Sequence, residues 1–186
     1  MNKLRLPIFL VLLASVPFLI QSCNKDAVTS TAYTTAAFQA NIDGNVWAPD
    51  TTSTVVTYNS AAGTKTLVVS GTKQAKQVIF TVTVPAAGNT PGFPLGIYTV
   101  DGTSITAQFN TQKSAGAPFT PRGTVESGSG TLTVTAVDSV KKQITGTFGL
   151  VSRTINYDNS GNVISTTINN VTGGEFTAVS YIYANN

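Results

Sequence analysis

The side chains that could carry out chemistry are few and scattered along this chain of 186 residues. It has no histidine and one cysteine, Cys23. His-based triads, His-containing metal sites and internal disulfides are therefore excluded. A pair of catalytic carboxylates would have to be assembled by the fold, because no two acidic residues are spaced as a recognisable motif. The acidic residues beyond the first forty are Asp43, Asp50, Asp101, Glu126, Asp138, Asp158 and Glu175.

Two short segments superficially resemble functional loops. Residues 158–162 place oxygen-bearing side chains around Gly161, as a calcium loop does, but no acidic residue follows at the distance that closes an EF-type site. Residues 127–130 alternate serine and glycine but lack the strand-to-helix elbow of a serine nucleophile. We interpret the first as a hairpin connection. We expect no catalytic residues, no metal site and no cofactor, and hence no enzyme.

The one cysteine stands at the end of the longest apolar run. Lys3 and Arg5 precede residues 6–20, a run too short to span a bilayer comfortably. This pattern predicts a secretory signal peptide over residues 1–22. Residues 20–23, Ile-Gln-Ser-Cys, resemble a bacterial lipobox with an unusual Gln21, which implies that Cys23 becomes an acylated first residue. A retained membrane anchor and an ordinary secreted protein are the alternatives.

A lipid on Cys23 would make the membrane a partner of the chain. Residues 23–36 then form the lipidated cysteine and a flexible tether, since residues 24–36 are mostly small and polar. Enteric lipoproteins that are retained in the inner membrane carry aspartate immediately after the lipidated cysteine. This chain has Asn24 at that position, which favours the outer membrane of the cell envelope. The domain would then face either the periplasm or the surface. Without the leader, nine basic and eight acidic residues remain, so we expect no nucleic-acid partner.

The rest of the chain, residues 37–186, has the pattern of one all-β domain. About 30 threonines and 16 glycines favour half-buried strands and tight turns. Apolar residues alternate with threonines, as in 78–84 and 131–136, which is typical of strands with one wet face. We expect an antiparallel β-sandwich or partly open barrel of about ten short strands. The candidate strands are 37–42, 45–48, 53–59, 65–71, 76–84, 96–100, 104–109, 130–138, 143–153, 162–169 and 174–183.

Residues 38–47 read Phe-Gln-Ala-Asn-Ile-Asp-Gly-Asn-Val-Trp. This resembles the opening F-x-A-x-I-D-G-x-x-W hairpin of small β-rich lipoproteins of Bacteroidota, whose domains are of unknown function. Residues 96–98, 143–148 and 173–176 are similar to later strands of that family, in the expected order. The resemblance implies a lipoprotein with a sandwich-like domain that faces the surface or the periplasm. It supplies no catalytic residues.

Three residues of these motifs have structural interpretations. Trp47 is expected to plug the core or cover a sheet edge, with a sugar-stacking platform as the alternative. Gly146 and Gly174 are expected at bulges or close-packing positions within strands.

The sequence leaves the ligand-binding residues unknown. Residues 86–94 and 113–130 are rich in proline and glycine, with four of the eight prolines and six of the 16 glycines, so these long loops are the default binding region. We expect a non-catalytic binding module for a glycan, peptide or protein. One alternative is a structural envelope protein that pairs with another component through an exposed edge at 176–183; a hydrolase using carboxylates alone is a distant one. The aromatic residues expected to be exposed are Tyr58, Phe93, Tyr98, Phe119, Tyr181 and Tyr183.

Overall fold

The computed structural model describes residues 37–86 and 88–186, and within them the all-β prediction is confirmed. Turns or loops with glycine, asparagine or aspartate connect most of the strands, as the sequence predicts. The strands are β1 (Phe38–Ile42), β2 (Asn45–Trp47), β3 (Thr51–Asn59), β4 (Thr64–Lys73), β5 (Lys76–Pro85), β6 (Gly96–Thr99), β7 (Ile105–Thr111), β8 (Thr120–Pro121), β9 (Gly130–Asp138), β10 (Gln143–Tyr157), β11 (Val163–Ser180) and β12 (Ile182–Asn185).

The strands form two six-stranded sheets. The first, sheet A, has the order β2-β1-β11-β10-β9-β6, and the second, sheet B, has the order β12-β3-β4-β5-β7-β8. All pairs are antiparallel except β12 with β3. The parallel pair arises because the chain leaves sheet A after Ser180 and crosses to the edge of sheet B through a single residue, Tyr181.

The core lies between the inner faces of the two sheets. Alternate residues of most strands point inward, as the burial pattern of β5 shows, with Val78, Phe80 and Val82 almost completely buried. Trp47 is buried and packs edge-on against Phe38, with ring centroids 6.1 Å apart. The core interpretation of Trp47 is therefore confirmed, and the sugar-stacking alternative is wrong.

Two glycines of sheet A allow backbone and aromatic rings to approach closely. A Cβ on Gly146 would overlap the carbonyl oxygen of Thr133 and lie 2.5 Å from a ring carbon of Phe176. A Cβ on Gly174 would lie 2.5 Å from the carbonyl oxygen of Phe148. The β10–β11 register also shifts next to Gly146, so the predicted bulge and close-packing roles are confirmed.

The largest differences from the predicted strands lie in the second half of the chain. The predicted strands 162–169 and 174–183 are one strand, β11, which continues through Gly173 to Ser180, and β10 runs on to Tyr157. Because β11 lies between β1 and β10, the exposed edge predicted at 176–183 is wrong for residues 176–180; residues 182 and 183 belong to β12, which is one edge strand of sheet B. The strand β8 interrupts the predicted loop 113–130.

The predicted signal peptide, tether and lipidated Cys23 lie outside the described residues. Within the described ranges, no helix is long and apolar enough to cross a membrane.

Candidate functional site

The loop between β5 and β6, predicted as a binding loop, is fastened to the end of the sandwich. Lys65 is buried, and its Nζ donates hydrogen bonds to Thr90 Oγ1 at 2.7 Å and to the carbonyl oxygen of Gly92 at 2.9 Å. Burial lowers the pKa of the Lys65 ammonium, because desolvation disfavours its charged form. The loop acceptors thus satisfy a buried donor that would otherwise be costly.

Three tyrosine hydroxyls hold the same loop. Tyr98 donates to the carbonyl oxygen of Pro94 at 2.8 Å, Tyr181 to that of Pro91 at 2.7 Å, and Tyr183 to Asn89 Oδ1. Desolvation is the largest cause that raises the pKa of each of these tyrosines. The described part of the loop, residues 88–95, therefore closes one end of the core; we call it the end cap.

Three of the six aromatic residues that were predicted to be exposed are buried. Phe93, Tyr98 and Tyr181 are buried, and their rings belong to the core. Tyr58, Phe119 and Tyr183 are half-buried. Period-two patterning cannot show this, because residues of an irregular loop such as Phe93 have no sheet face to which alternation assigns them.

Three of the acidic residues serve as local turn acceptors. The carboxylate of Asp101 accepts from the backbone of Ile105 and Thr103, that of Asp138 from Lys141 and Val140, and that of Asp158 from Asn162 and Ser160. These hydrogen bonds lower the pKa of all three carboxyls. For Asp158 the largest contribution is the side-chain amide of Asn162, 3.0 Å away. The interpretation of 158–162 as a hairpin connection, here between β10 and β11, is confirmed.

The other acidic side chains are also placed individually. Asp43 accepts from the backbone N–H of Asn170, Glu126 forms an ion pair with Arg153 at 3.8 Å, Glu175 accepts from Gln39, and Asp50 is exposed. Among the described residues, no three acidic side chains lie close enough together to hold a metal ion.

Residues 127–130 form the turn that leads into β9. The N–H of Gly128 donates to the carbonyl oxygen of Val100 at 2.8 Å, and the N–H of Ser129 donates to that of Glu126 at 2.9 Å. A Cβ on Gly130 would lie 2.9 Å from the side chain of Val100. The serine-glycine alternation therefore fits a close turn against the end of β6.

The hairpin of β10 and β11 extends beyond its neighbours in sheet A. Strand β9 pairs with β10 only as far as Leu150, and β1 pairs with β11 only as far as Val171. Residues 151–157 and 163–170 continue as a two-stranded ribbon with paired register. We call this ribbon the distal hairpin.

One face of the distal hairpin is apolar and exposed. Val151, Arg153 and Ile155 lie opposite Asn170, Ile168 and Thr166, on the outer side of sheet A. Tyr157, at the end of the same row, is 56% exposed. We call the exposed apolar set of this region the hairpin face: Val151, Ile155, Tyr157, Val163, Ile164 and Ile168.

The opposite face of the distal hairpin is supported by residues 120–124. Ser152 is fully buried and its Oγ donates to the carbonyl oxygen of Arg122. The backbones of Thr124 and Arg153 exchange two hydrogen bonds of 2.9 Å. The predicted loop 113–130 thus braces the hairpin from behind at Ser152 and along the β10 edge at Arg153.

A polar cleft of about 330 Å³ lies between the hairpin and this brace. Its side-chain donors and acceptors are hydroxyls, one amide and one guanidinium. Asn156 Nδ2 donates to Ser165 Oγ at 2.9 Å beside it. The cleft is lined by Thr111, Pro121, Arg122, Gly123, Thr154, Asn156 and Thr167.

The sequence predicts the second strand of the hairpin but not its exposure. Residues 162–170, Asn-Val-Ile-Ser-Thr-Thr-Ile-Asn-Asn, contain no charge, glycine or proline. Such a strand looks the same in sequence whether a neighbour covers it or not. Only the lengths of β1 and β9 show that its outer portion has no neighbouring strand within the described residues.

The fold and these surfaces define a two-sheet β-sandwich domain with a braced, projecting hairpin. The chain belongs to the family described as Domain of unknown function (DUF6252), which matches residues 34–180. No curated protein matches the chain, and neither does any solved structure.

Proposed function

We propose that this protein is a non-catalytic binding module of the cell envelope that docks another protein through the hairpin face. The observation that carries the proposal is the concentration of exposed apolar side chains on the distal hairpin. Six of the large hydrophobic residues that are exposed in the described chain lie there. A contiguous exposed apolar surface on a soluble domain typically marks an interaction site.

The chemistry of the hairpin face fits a protein partner. Aliphatic side chains surround one aromatic residue, Tyr157, and one cation, Arg153, and tyrosine and arginine are enriched in protein interfaces. The brace at 120–124 holds the ribbon from behind, so docking would order little additional backbone. A complementary partner would present an apolar patch with an acceptor for Arg153.

The membrane tether is part of the proposal. Its support is sequence-based: the lipobox-like residues 20–23, the small polar residues 24–36, and the resemblance to Bacteroidota lipoproteins. A lipid on Cys23 would anchor the domain in the outer membrane, since acyl chains contribute about 0.8 kcal/mol per buried methylene. The domain would then face the periplasm or the cell surface.

Site-specific photocrosslinking in intact cells tests the proposal. A photoreactive amino acid at Tyr157 of the full chain is expected to give a discrete adduct with another protein. The matched control carries it at Ile79, on the outer face of sheet B. The substitution Ile155→Lys, also on the hairpin face, should abolish the Tyr157 adduct. No adduct, or equal adducts from positions 157 and 79, would overturn the proposal.

A second candidate function rests on the polar cleft behind the hairpin. Its hydroxyl, amide and guanidinium groups are of the type that hydrogen-bond to sugars, so the ligand of this second candidate is a glycan. A glycan array with the chain and its Asn156→Ala variant tests this. Binding that the variant loses, and that Asn159→Ala in the exposed turn retains, would support the glycan; no binding would dismiss it.

A further inference from the structure

We infer that the free edge of β11 pairs with the same edge of a second copy of this chain, giving a two-fold dimer. The inference rests on the proposed function, because it names an additional partner of the same distal hairpin. It concerns the backbone edge of the hairpin, whereas the hairpin face is formed by side chains.

The direction of the free backbone groups follows from the last contacts of the neighbouring strand. The N–H of Asp43 donates to the carbonyl oxygen of Asn170 at 2.9 Å, and the N–H of Asn170 donates to Asp43 Oδ1 at 2.7 Å. Both backbone groups of Asn170 therefore point away from β10. The β10–β11 register is regular from Ser165 to Val171, so the backbone groups of Thr166 and Ile168 point the same way. No described residue pairs with them.

Apart from the register shift beside Ile164, between the pairs Asn156–Ser165 and Tyr157–Val163, this edge lacks the devices that normally prevent strands from pairing. Natural edges are protected by charged residues, proline or short length. The other edges fit that rule, because β8 has two residues including Pro121, β2 has three, and β6 and β12 have four each. By contrast, residues 162–170 carry no charge, proline or glycine.

The edge is also self-complementary. Residues 164–168 read Ile-Ser-Thr-Thr-Ile, almost the same in both directions. An antiparallel two-fold axis at Thr166 would place Ile164 opposite the partner's Ile168 and Ser165 opposite the partner's Thr167. Apolar residues would face apolar residues and hydroxyls would face hydroxyls, and no like charges would meet. An isologous interface places residues at equal distances from the axis opposite each other, so this near-palindrome makes the facing residues alike, which an unrelated partner would not need.

The dimer would double the surface used by the proposed function. In an edge-paired dimer, the outer sides of the two copies of sheet A face the same direction. The two hairpin faces would therefore lie next to each other across the axis. A single pair of short strands buries less than the roughly 1,200 Å² of a stable specific interface. We therefore expect a concentration-dependent dimer, favoured when both copies are confined to one membrane.

Charge exchange at the edge tests the inference. The full chain is compared with the double variants Ile164→Lys/Ile168→Lys and Ile164→Glu/Ile168→Glu by sedimentation equilibrium in density-matched detergent. The wild type is expected to dimerise, each variant alone to remain monomeric through like-charge repulsion, and their mixture to recover the dimer. Recovery also shows that the variants are folded. A monomeric wild type, undisturbed dimers in both variants, or a mixture that stays monomeric would overturn the inference.

A control on the adjacent strand separates this inference from the proposed function. Val151→Lys/Ile155→Lys changes the hairpin face on β10 but not the edge of β11, so it should retain the dimer and lose the Tyr157 adduct. A monomeric wild type that still forms the adduct overturns the dimer alone. A dimer without an adduct to another protein overturns the proposed function alone.

Discussion

Gly146 and Gly149 lie three residues apart in β10, yet they tolerate a side chain very differently. A Cβ at Gly146 would overlap the Thr133 carbonyl oxygen and the Phe176 ring, whereas at Gly149 its nearest neighbour is the Val171 carbonyl oxygen at 3.3 Å. Gly146→Ala should therefore destabilise the domain by about 3 kcal/mol or more, since overpacking against a rigid backbone cannot relax. Gly149→Ala should change stability by less than about 1 kcal/mol.

Denaturant unfolding of the two variants measures this difference. Equal unfolding free energies for Gly146→Ala and Gly149→Ala would show that the close contact between β9, β10 and Phe176 is not required. The sequence correctly predicted Gly146 as a special position. It could not predict which neighbour enforces the glycine, because Thr133 and Phe176 are brought there only by the pairing of β10 with both β9 and β11.

Tyr181 provides a second test, at the level of one hydroxyl. Its hydroxyl donates to the Pro91 carbonyl oxygen at 2.7 Å, within an otherwise buried side chain. Tyr181→Phe should lower the unfolding free energy by about 1 kcal/mol, since it removes one hydrogen bond and leaves the carbonyl oxygen without it. Tyr157→Phe removes the same atom from an exposed ring and should stay within about 0.5 kcal/mol of the parent. A Tyr181→Phe protein as stable as Tyr157→Phe would contradict the anchoring role.

At the scale of elements, the end cap should respond to alkali. The tyrosines that hold it have raised pKa values, so the unfolded chain loses these protons first, near the ordinary tyrosine pKa of about 10. Their stabilising contribution is complete below that pH and is lost as the pH rises through the folded values. A tyrosinate can no longer donate a hydrogen bond to the end cap. The backbone of the end cap should therefore become protease-sensitive above pH about 10.

Lys65 acts in the opposite direction and at lower pH. Its pKa is lowered by burial, so the folded state loses this proton before the unfolded state does. Stability should therefore rise as the pH passes the lowered Lys65 pKa and approaches the ordinary lysine value of about 10.4. Denaturant unfolding across this range, with tyrosinate absorbance recorded in parallel, measures both effects. Lys65→Met should remove only the rise in unfolding free energy at the lower pH. An unfolding free energy that does not decline at high pH would contradict the tyrosine anchors.

Alternation of apolar and polar residues predicts some elements of this fold and not others. Alternation predicts β4, β5 and β9 well, because each has one buried and one wet face along most of its length. It predicts β11 only as two separate strands, 162–169 and 174–183, and gives no sign that the outer half of β11 is exposed on both sides apart from Asn169. It also fails for the end cap, whose buried Phe93 and tyrosine contacts depend on an irregular loop folding back over the core.

For the whole molecule, the sequence predicted an antiparallel β-sandwich or partly open barrel but not the surfaces that it presents. Strand order decides which edges remain free, and it results from pairings between residues as distant as Phe38 and Phe176. The distal hairpin projects because β1 and β9 are shorter than the strands beside them. The local sequence of β11 contains no information about the lengths of β1 and β9.

The membrane tether is tested at this same scale by a single substitution. If residues 20–23 direct lipidation, Cys23→Ser should shift the protein from the membrane fraction to the aqueous phase on detergent phase separation, because the acyl chains are lost. Ser22→Ala keeps a small residue before the cysteine and should remain in the detergent phase. Mass spectrometry of the Cys23 peptide checks the modification directly. Unmodified Cys23, or a Cys23→Ser protein that partitions like the parent, would remove the lipid anchor and leave membrane confinement of the β11 dimer without a basis.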